Sequence, residues 1–319
     1  MRYRVFAAAA VVMSLAACGG AKSDAGDTTP SSGAGSKGTV NLAVNPWVGY
    51  EADAAVVSYL LTKKLGYTVN KKNLKEEISW QGFETGEVDA VLENWGHDDL
   101  KKTYIEQKKV AVEVGSTGNK GVIGWYVPQW MVDKYPDITD YKNLNKYADL
   151  FKTSESKGKG QLLDGDPSYV TNDEALVKNL KLNYQVVYSG SEAALIKAAE
   201  QATAQKKPLL FYFYEPQWLF SKEKYVRVTL PPYTTGCDAD PKKVACDYPD
   251  YDLDKIASKK FADANSTAYQ LIKNFKWTND DQDLVADYIT NQGMSDDQAA
   301  EKWVNEHEST WKPWIPAGS

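Results

Sequence analysis

The chain has 319 residues, 37 Lys and Arg against 43 Asp and Glu, and a formal net charge of −6 at pH 7. That balance argues against a nucleic-acid surface and against broad contact with anionic lipid. Three cysteines and two histidines leave few soft ligands for a metal centre. No Gly-rich phosphate loop, GxSxG or HExxH occurs, so neither a metal nor another cofactor is expected.

The first residues read MRYRVFAAAAVVMSLAACGG. Arg2 and Arg4 form a positive start, and Phe6 to Leu15 is an apolar run too short to span a bilayer. This is the pattern of an export signal over residues 1–17. Leu15-Ala16-Ala17-Cys18 resembles the lipobox of bacterial lipoproteins, which implies cleavage that leaves Cys18 lipidated at the new N-terminus. Residues 18–38 are dominated by Gly, Ser, Thr, Ala and Asp and read as a flexible leash. The expectation is an exported protein on the outer face of the cell membrane, tethered by lipid.

Thr39 to Val44 reads as a strand and Glu51 to Leu65 as a helix stopped by Gly66. Tyr67 to Val69 is the next strand, which begins an α/β pattern. Trp80 to Thr85 is helical and ends at Gly86. Val88 to Leu92 is a strand with Glu93, Asn94 and Trp95 at its C-terminal end. Ligands of open parallel sheets collect beyond such ends, and Trp47 follows the first strand in the same way. Gly121 to Tyr126 is a strand before Pro128, and residues 154–160 are a polar break. A helix capped by Thr171 or Asn172 runs to Leu180. Tyr184 to Tyr188, Leu209 to Tyr214 and Val226 to Leu230 are strands, with a helix from Glu192 to Lys206 among them. Helices are expected at 254–261, 265–273, 280–290 and from Ser295 to Glu306, with Trp311 and Trp314 holding the tail. Export makes a disulfide between Cys237 and Cys246 the expectation; a metal there would need more soft ligands nearby. Two α/β lobes with a cleft follow from this order.

Aromatic residues are abundant: ten Trp, twenty Tyr and eight Phe. Pro208 to Phe220, PLLFYFYEPQWLF, places rings around a carboxylate and a proline. Trp47, Trp95, Trp125, Tyr126, Tyr214 and Trp218 fall where strands end. Ring faces attract a cation that has no N–H to donate, such as a quaternary ammonium group. His97, beside Asp98 and Asp99, has the composition of a general base. No serine or cysteine nucleophile has a plausible partner, however, and no enzyme is expected.

Several separate stretches, in one order, carry a family resemblance: VNLAVNPWVGYEADAAVVSYLLTKKLGYTV, WQGFETGEVDAVLENW, YSGSEAALIKAAEQATAQKKPLLFYFYEPQW, LIKNFKWTNDDQDLVADYI and GMSDDQAAEKWVNEHESTWKPWIP. The chain resembles the substrate-binding proteins of ABC importers for glycine betaine, proline betaine and choline. The resemblance implies a type II periplasmic-binding-protein fold, two-lobed with a hinged ligand cleft and no catalytic residues. It implies lobe 1 as residues 39–122 plus 220–319 and lobe 2 as 123–219. The ligand-binding set it implies is Trp47, Trp95, His97, Trp125, Tyr169, Tyr214 and Trp218. Of these, Trp218 is also read as packing and Trp125 as standing at the hinge. The implied partners are a small quaternary ammonium ligand, glycine betaine first, and the transmembrane permease subunit; the protein is expected to be a monomer. Two cage positions hold Tyr where the family usually has Trp. Asp164, Asp166 and Glu215 would favour choline over a betaine if they faced the cleft.

Overall fold

We describe residues 36–318 of a computed structural model of the chain. Cys18, the export signal and most of the leash lie outside the described residues. The strands are β1 (Thr39–Val44), β2 (Thr68–Asn73), β3 (Ala90–Asn94), β4 (Ala111–Pro128), β5 (Gly160–Asp164), β6 (Tyr184–Tyr188), β7 (Phe211–Glu215), β8 (Tyr225–Arg227) and β9 (Asp250–Ser258). They run in the order β2-β1-β3-β9-β4-β7-β5-β6, with β8 on β4.

β1 pairs in parallel with β2 and β3, as the opening strand–helix–strand pattern requires. The helices between them are α1 (Val48–Tyr59) and α2 (Glu76–Thr85). α2 stops where it should, at Gly86 in the left-handed conformation with φ 78°. β5 pairs in parallel with β6 and β7 in the same manner.

The long strand β4 joins these two halves. Its residues Ala111 to Val122 pair with β9, Val122 to Tyr126 pair with β7, and Tyr126 to Pro128 pair with β8. β9 begins opposite Val122, at Asp250. The chain therefore passes between the halves on two neighbouring strands. Residues 225–249, expected with the first lobe, are attached to the second half. Val228 N–H donates to Trp125 O at 2.7 Å, Arg227 pairs with Asp247 at 2.9 Å, and Asn179 donates to the carbonyls of Lys242 and Val244.

One predicted element is corrected. Residues 254–261, expected as a helix, are the end of β9 and the start of a short helix, Lys259–Asp263. DYDLDKIAS is strand here because it fills the slot between β3 and β4, with ladder partners on both sides. Pairing on both sides outweighs the helical propensity of Lys and Ala here. Ser258 then caps the helix through the Phe261 amide. Cys237 and Cys246 are joined as a disulfide. Trp311 and Trp314 are buried and hold the C-terminal turns, with Trp314 packed against Phe275 and Trp303.

Candidate functional site: an aromatic cavity between the halves

Rings from both halves meet near the C-terminal ends of β1, β3, β5 and β7 and the start of β9. From the first half come Trp47, the extended residue before α1, and Trp95, which follows β3. Tyr251 joins them from β9. From the second half come Tyr169, after β5, and Tyr212 and Tyr214 of β7. The period of two along β7 sorts its rings. Tyr212 and Tyr214 face the cavity, while Phe211 and Phe213 pack with Tyr126, Phe220 and Tyr225. Trp47 meets Tyr169 edge-on at 5.8 Å, and Trp95 meets Tyr214 at 5.6 Å and Tyr251 at 5.7 Å. Tyr169 lies 6.4 Å from Tyr212 and 6.3 Å from Tyr214.

These six rings, with Glu76, His97, Ile123 and Val170, line a cavity of about 40 Å³. Its walls depend on two close approaches. A Cβ on Gly121 would lie 2.6 Å from the Trp95 ring, and one on Gly165 would lie 2.7 Å from the Tyr169 ring. Only glycine leaves those rings room to seat.

Two buried carboxylates stand behind the rings. Trp47 and Trp95 both donate their indole N–H to Glu93 Oε1, at 2.8 and 2.7 Å, and Gln282 donates to Glu93 Oε2 at 2.6 Å. Asp53, next to Glu93 and fully buried, has its carboxyl pushed up, by burial first and then by the Glu93 charge. In the second half Glu192 accepts the Tyr214 hydroxyl, the Gln217 amide at 2.6 Å and the Val48 backbone N–H at 2.8 Å. Burial pushes the Glu192 carboxyl up to about 7, against the pull of Tyr214 and Val48. Each half of the cage thus has rings held from behind by a carboxylate: Trp47 and Trp95 by Glu93, and Tyr214 by Glu192.

At one side of the cavity His97 Nε2 is 2.9 Å from Glu76 Oε1, both side chains nearly buried. Burial lowers the imidazole pKa, but the Glu76 hydrogen bond and charge, with Asp99 and Asp254, raise it above the ordinary value overall. His97 has φ 49°, in the left-handed region that few non-glycine residues adopt, and its side chain lines the cavity.

Of the seven residues expected to bind ligand, Trp47, Trp95, His97, Tyr169 and Tyr214 line this one cavity. Trp125 does not. Its ring is fully buried and its N–H donates to Asp173 at 2.6 Å, so it braces the second half from inside. Trp218 also lies off the cavity, buried at the edge of a wider neighbouring groove of about 790 Å³. None of the three acids that could have repelled a carboxylate lines the cavity. Asp164 is buried and accepts the Gly165 N–H and the Thr171 hydroxyl; burial raises it to about 6. Asp166 caps the turn at Ser168. Glu215 is held up by burial and down by Arg227. The acid that does face the cavity is Glu76.

The sequence reading missed Tyr212, Tyr251, Glu76, Glu93 and Glu192. Tyr212 was accessible from the alternation Phe-Tyr-Phe-Tyr once Tyr214 was chosen. Tyr251 was hidden by the helix assigned just after it. Nothing in the local sequence marks Glu93 or Glu192 as buried acceptors.

A cleft lined by six aromatic rings from two α/β halves has the build of a receptor site for a small organic ligand. The chain belongs to the family described as the substrate binding domain of ABC-type glycine betaine transport systems, which matches residues 38–306. It is therefore an extracytoplasmic solute-binding component of an importer and not an enzyme. It is similar to a trimethylamine N-oxide-binding protein of Pelagibacter ubique, 23% identical over 294 residues, covering 89% of this chain and 93% of that protein. It is also similar to the glycine betaine/proline betaine-binding periplasmic protein of Escherichia coli, 23% identical over 305 residues, covering 86% of this chain and 89% of that one. The crystal structure of lactococcal OpuAC, closed and complexed with glycine betaine, aligns with a TM-score of 0.69 at 21% identity, covering 88% of this chain and all of that one. The fold is the two-lobed, type II periplasmic-binding-protein fold. No described helix is long and apolar enough to cross a membrane.

Proposed function

We propose that this chain captures a quaternary ammonium compound, glycine betaine in first place, between its lobes and delivers it to the membrane permease of an ABC importer. The observation that carries the reading is the cavity itself. Six rings from both halves surround one space, with Trp47 and Trp95 tied to Glu93 and Tyr214 tied to Glu192. Ring faces hold methylated nitrogen by its charge, and the buried carboxylates behind them add a negative field without competing for contact. Trp47, Trp95, Tyr169 and Tyr214 are the proposed cage, widened by Tyr212 and Tyr251. His97, steadied by Glu76, is the proposed partner of a betaine carboxylate.

In this reading lobe 1 is residues 39–122 plus about 250–319 and lobe 2 is 123–249. The second boundary moves from 220 to 250 because β8 and the disulfide loop are attached to the second half. Ligand that touches both ring sets favours the closed form, since only closure assembles them. Both halves of the cage come from one chain, which supports a monomer. The Leu-Ala-Ala-Cys18 sequence supports a lipid anchor on the outer face of the cell membrane.

Choline is the second reading, favoured by Glu76, a carboxylate in the cavity wall that suits a hydroxyl. Calorimetric titration with glycine betaine and with choline separates the two. Heat from betaine alone assigns the polar end to His97 as donor; heat from choline alone assigns it to Glu76. The reading fails if neither these nor trimethylamine N-oxide bind.

A further inference from the structure

The turn Pro46–Trp47–Val48 is gripped at both ends by the second half of the molecule. Tyr169 donates its hydroxyl to the Pro46 carbonyl at 3.0 Å. At the other end Val48 N–H donates to Glu192 Oε2 at 2.8 Å. Between them the Trp47 ring meets the edge of Tyr169.

Val48 is the first residue of α1, and Trp47, the residue before it, makes no side-chain cap. The first amides of a helix have no partner within it. At this helix one of them is satisfied by a carboxylate 144 positions further along the chain, from the facing half. That negative group also sits at the positive end of the α1 dipole. Glu192 opens its own helix, Glu192–Ala204, which Ser191 caps independently through the Ala194 amide. Its carboxylate is therefore free of local duty. It spends one oxygen on α1 and the other on Tyr214 and Gln217.

We propose that Glu192 is a closure latch: a carboxylate of the second lobe that caps α1 of the first lobe only in the closed form while positioning the Tyr214 ring. The latch rests on the lobes and cage proposed above. It makes the placement of a cage ring and the shutting of the cleft consequences of one group. Ligand affinity then depends on the latch even though Glu192 does not line the cavity, because apparent affinity scales with the fraction of closed protein.

The test is Val48→Pro. Proline is favoured at the first helical position, where its missing N–H costs the helix nothing. Trp47, at φ −143° and ψ 149°, already has the extended backbone that a residue before proline needs. The substitution removes the latch donor and leaves every ring in place. Glu192→Ala is the second variant, and Val48→Ala the control that trims the same side chain but keeps the N–H that Glu192 accepts. Each is titrated with glycine betaine, its release followed by tryptophan fluorescence in stopped flow, and its closure measured by X-ray scattering with and without ligand.

Loss of a charge-assisted hydrogen bond should weaken binding roughly tenfold to hundredfold. The expected result is that Val48→Pro and Glu192→Ala release ligand faster by about that factor and stay more open at saturation, while Val48→Ala closes like the wild type. Wild-type release and wild-type scattering from Val48→Pro and Glu192→Ala overturn the latch. A lower melting temperature with unchanged release assigns Glu192 to stability alone and also overturns it. If the unsubstituted protein binds neither glycine betaine nor trimethylamine N-oxide, the ligand reading fails and the latch, which acts on ligand-driven closure, fails with it; a wild type that binds and closes beside variants that do the same overturns the latch alone.

Discussion

Trp47 and Trp95, 48 positions apart, donate their indole N–H groups to the same oxygen of Glu93. One carboxylate thus sets the orientation of two cage rings from different strand ends and places its charge behind both. Glu93→Gln keeps an acceptor for the indoles but removes the charge, and its new amide opposes the Gln282 amide. Affinity for glycine betaine is expected to fall by about 1–2 kcal/mol, the scale of a desolvated cation–π contact. The check is titration calorimetry, with circular dichroism to confirm the fold.

The rings themselves should divide by what they contribute. Tyr214→Ala removes a ring face and is expected to cost about 1–2 kcal/mol of binding. Tyr214→Phe keeps the face and loses only the Glu192 contact, so its loss should be smaller. Equal losses from the two substitutions would mean that the hydroxyl, not the ring, carries Tyr214's role.

Gly165→Ala tests the close approach beneath Tyr169. The new methyl would lie 2.7 Å from that ring, and the Gly165 backbone is not in the left-handed region. The ring must move while the main chain need not. Binding should weaken about tenfold, or about 1.4 kcal/mol, with the melting temperature little changed. A variant that binds as tightly as the wild type would remove Tyr169 from the proposed cage.

Stability should rise as pH falls from 8 toward 5. Burial raises Glu192, Glu51 and Asp283 to about 7 and Asp164 to about 6. A carboxyl whose folded pKa is raised holds its proton more tightly in the folded state. Its contribution is fully present below its unfolded pKa, near 4, and is lost as pH rises through 6 to 7. Glu192, buried and raised from 4.5 to about 7, supplies on the order of 2–3 kcal/mol of this slope. His97, raised overall, adds in the same direction. Thermal unfolding at pH 5.5 and 8 checks the sign, and Glu192→Gln should flatten the difference.

Reducing the Cys237–Cys246 disulfide frees a loop with a sequence separation of 9. Loop entropy of that size is worth about 2–3 kcal/mol, or roughly 5 °C in a chain of this length. The loop leads into Tyr248, which hydrogen-bonds Asp173 and packs on Tyr212. Reduction should therefore lower the melting temperature and also weaken binding slightly, measured with and without reductant.

Much of the cavity was legible because strand ends are legible. Trp47 and Trp95 each stand three residues past the last apolar residue of a strand run, Val44 and Leu92, and Tyr214 ends an aromatic run. Trp125 looks the same in sequence, inside a run of similar residues. It shares a sheet face with Ile123 and Tyr212 but stands two residues further along β4 than Ile123, where its N–H reaches Asp173 inside the second half. How far along a strand the cavity extends is set by what packs on that face, which the local sequence does not carry. Tyr251 failed for a related reason: β9 is a strand by virtue of the two strands it lies between.

The sequence by itself determined the α/β order, the aromatic stock, the disulfide partners and the family to which the chain belongs. These follow from local composition, periodicity and motif order, which are written along the chain. Tertiary structure alone decided that Glu93 holds two tryptophans, that Glu192 caps a helix of the opposite half, and that Asp164, Asp166 and Glu215 turn away from the cavity. Each of those facts joins residues distant in sequence or depends on which way a carboxylate is buried. Burial is a property of the packed molecule, not of the segment that carries the charge.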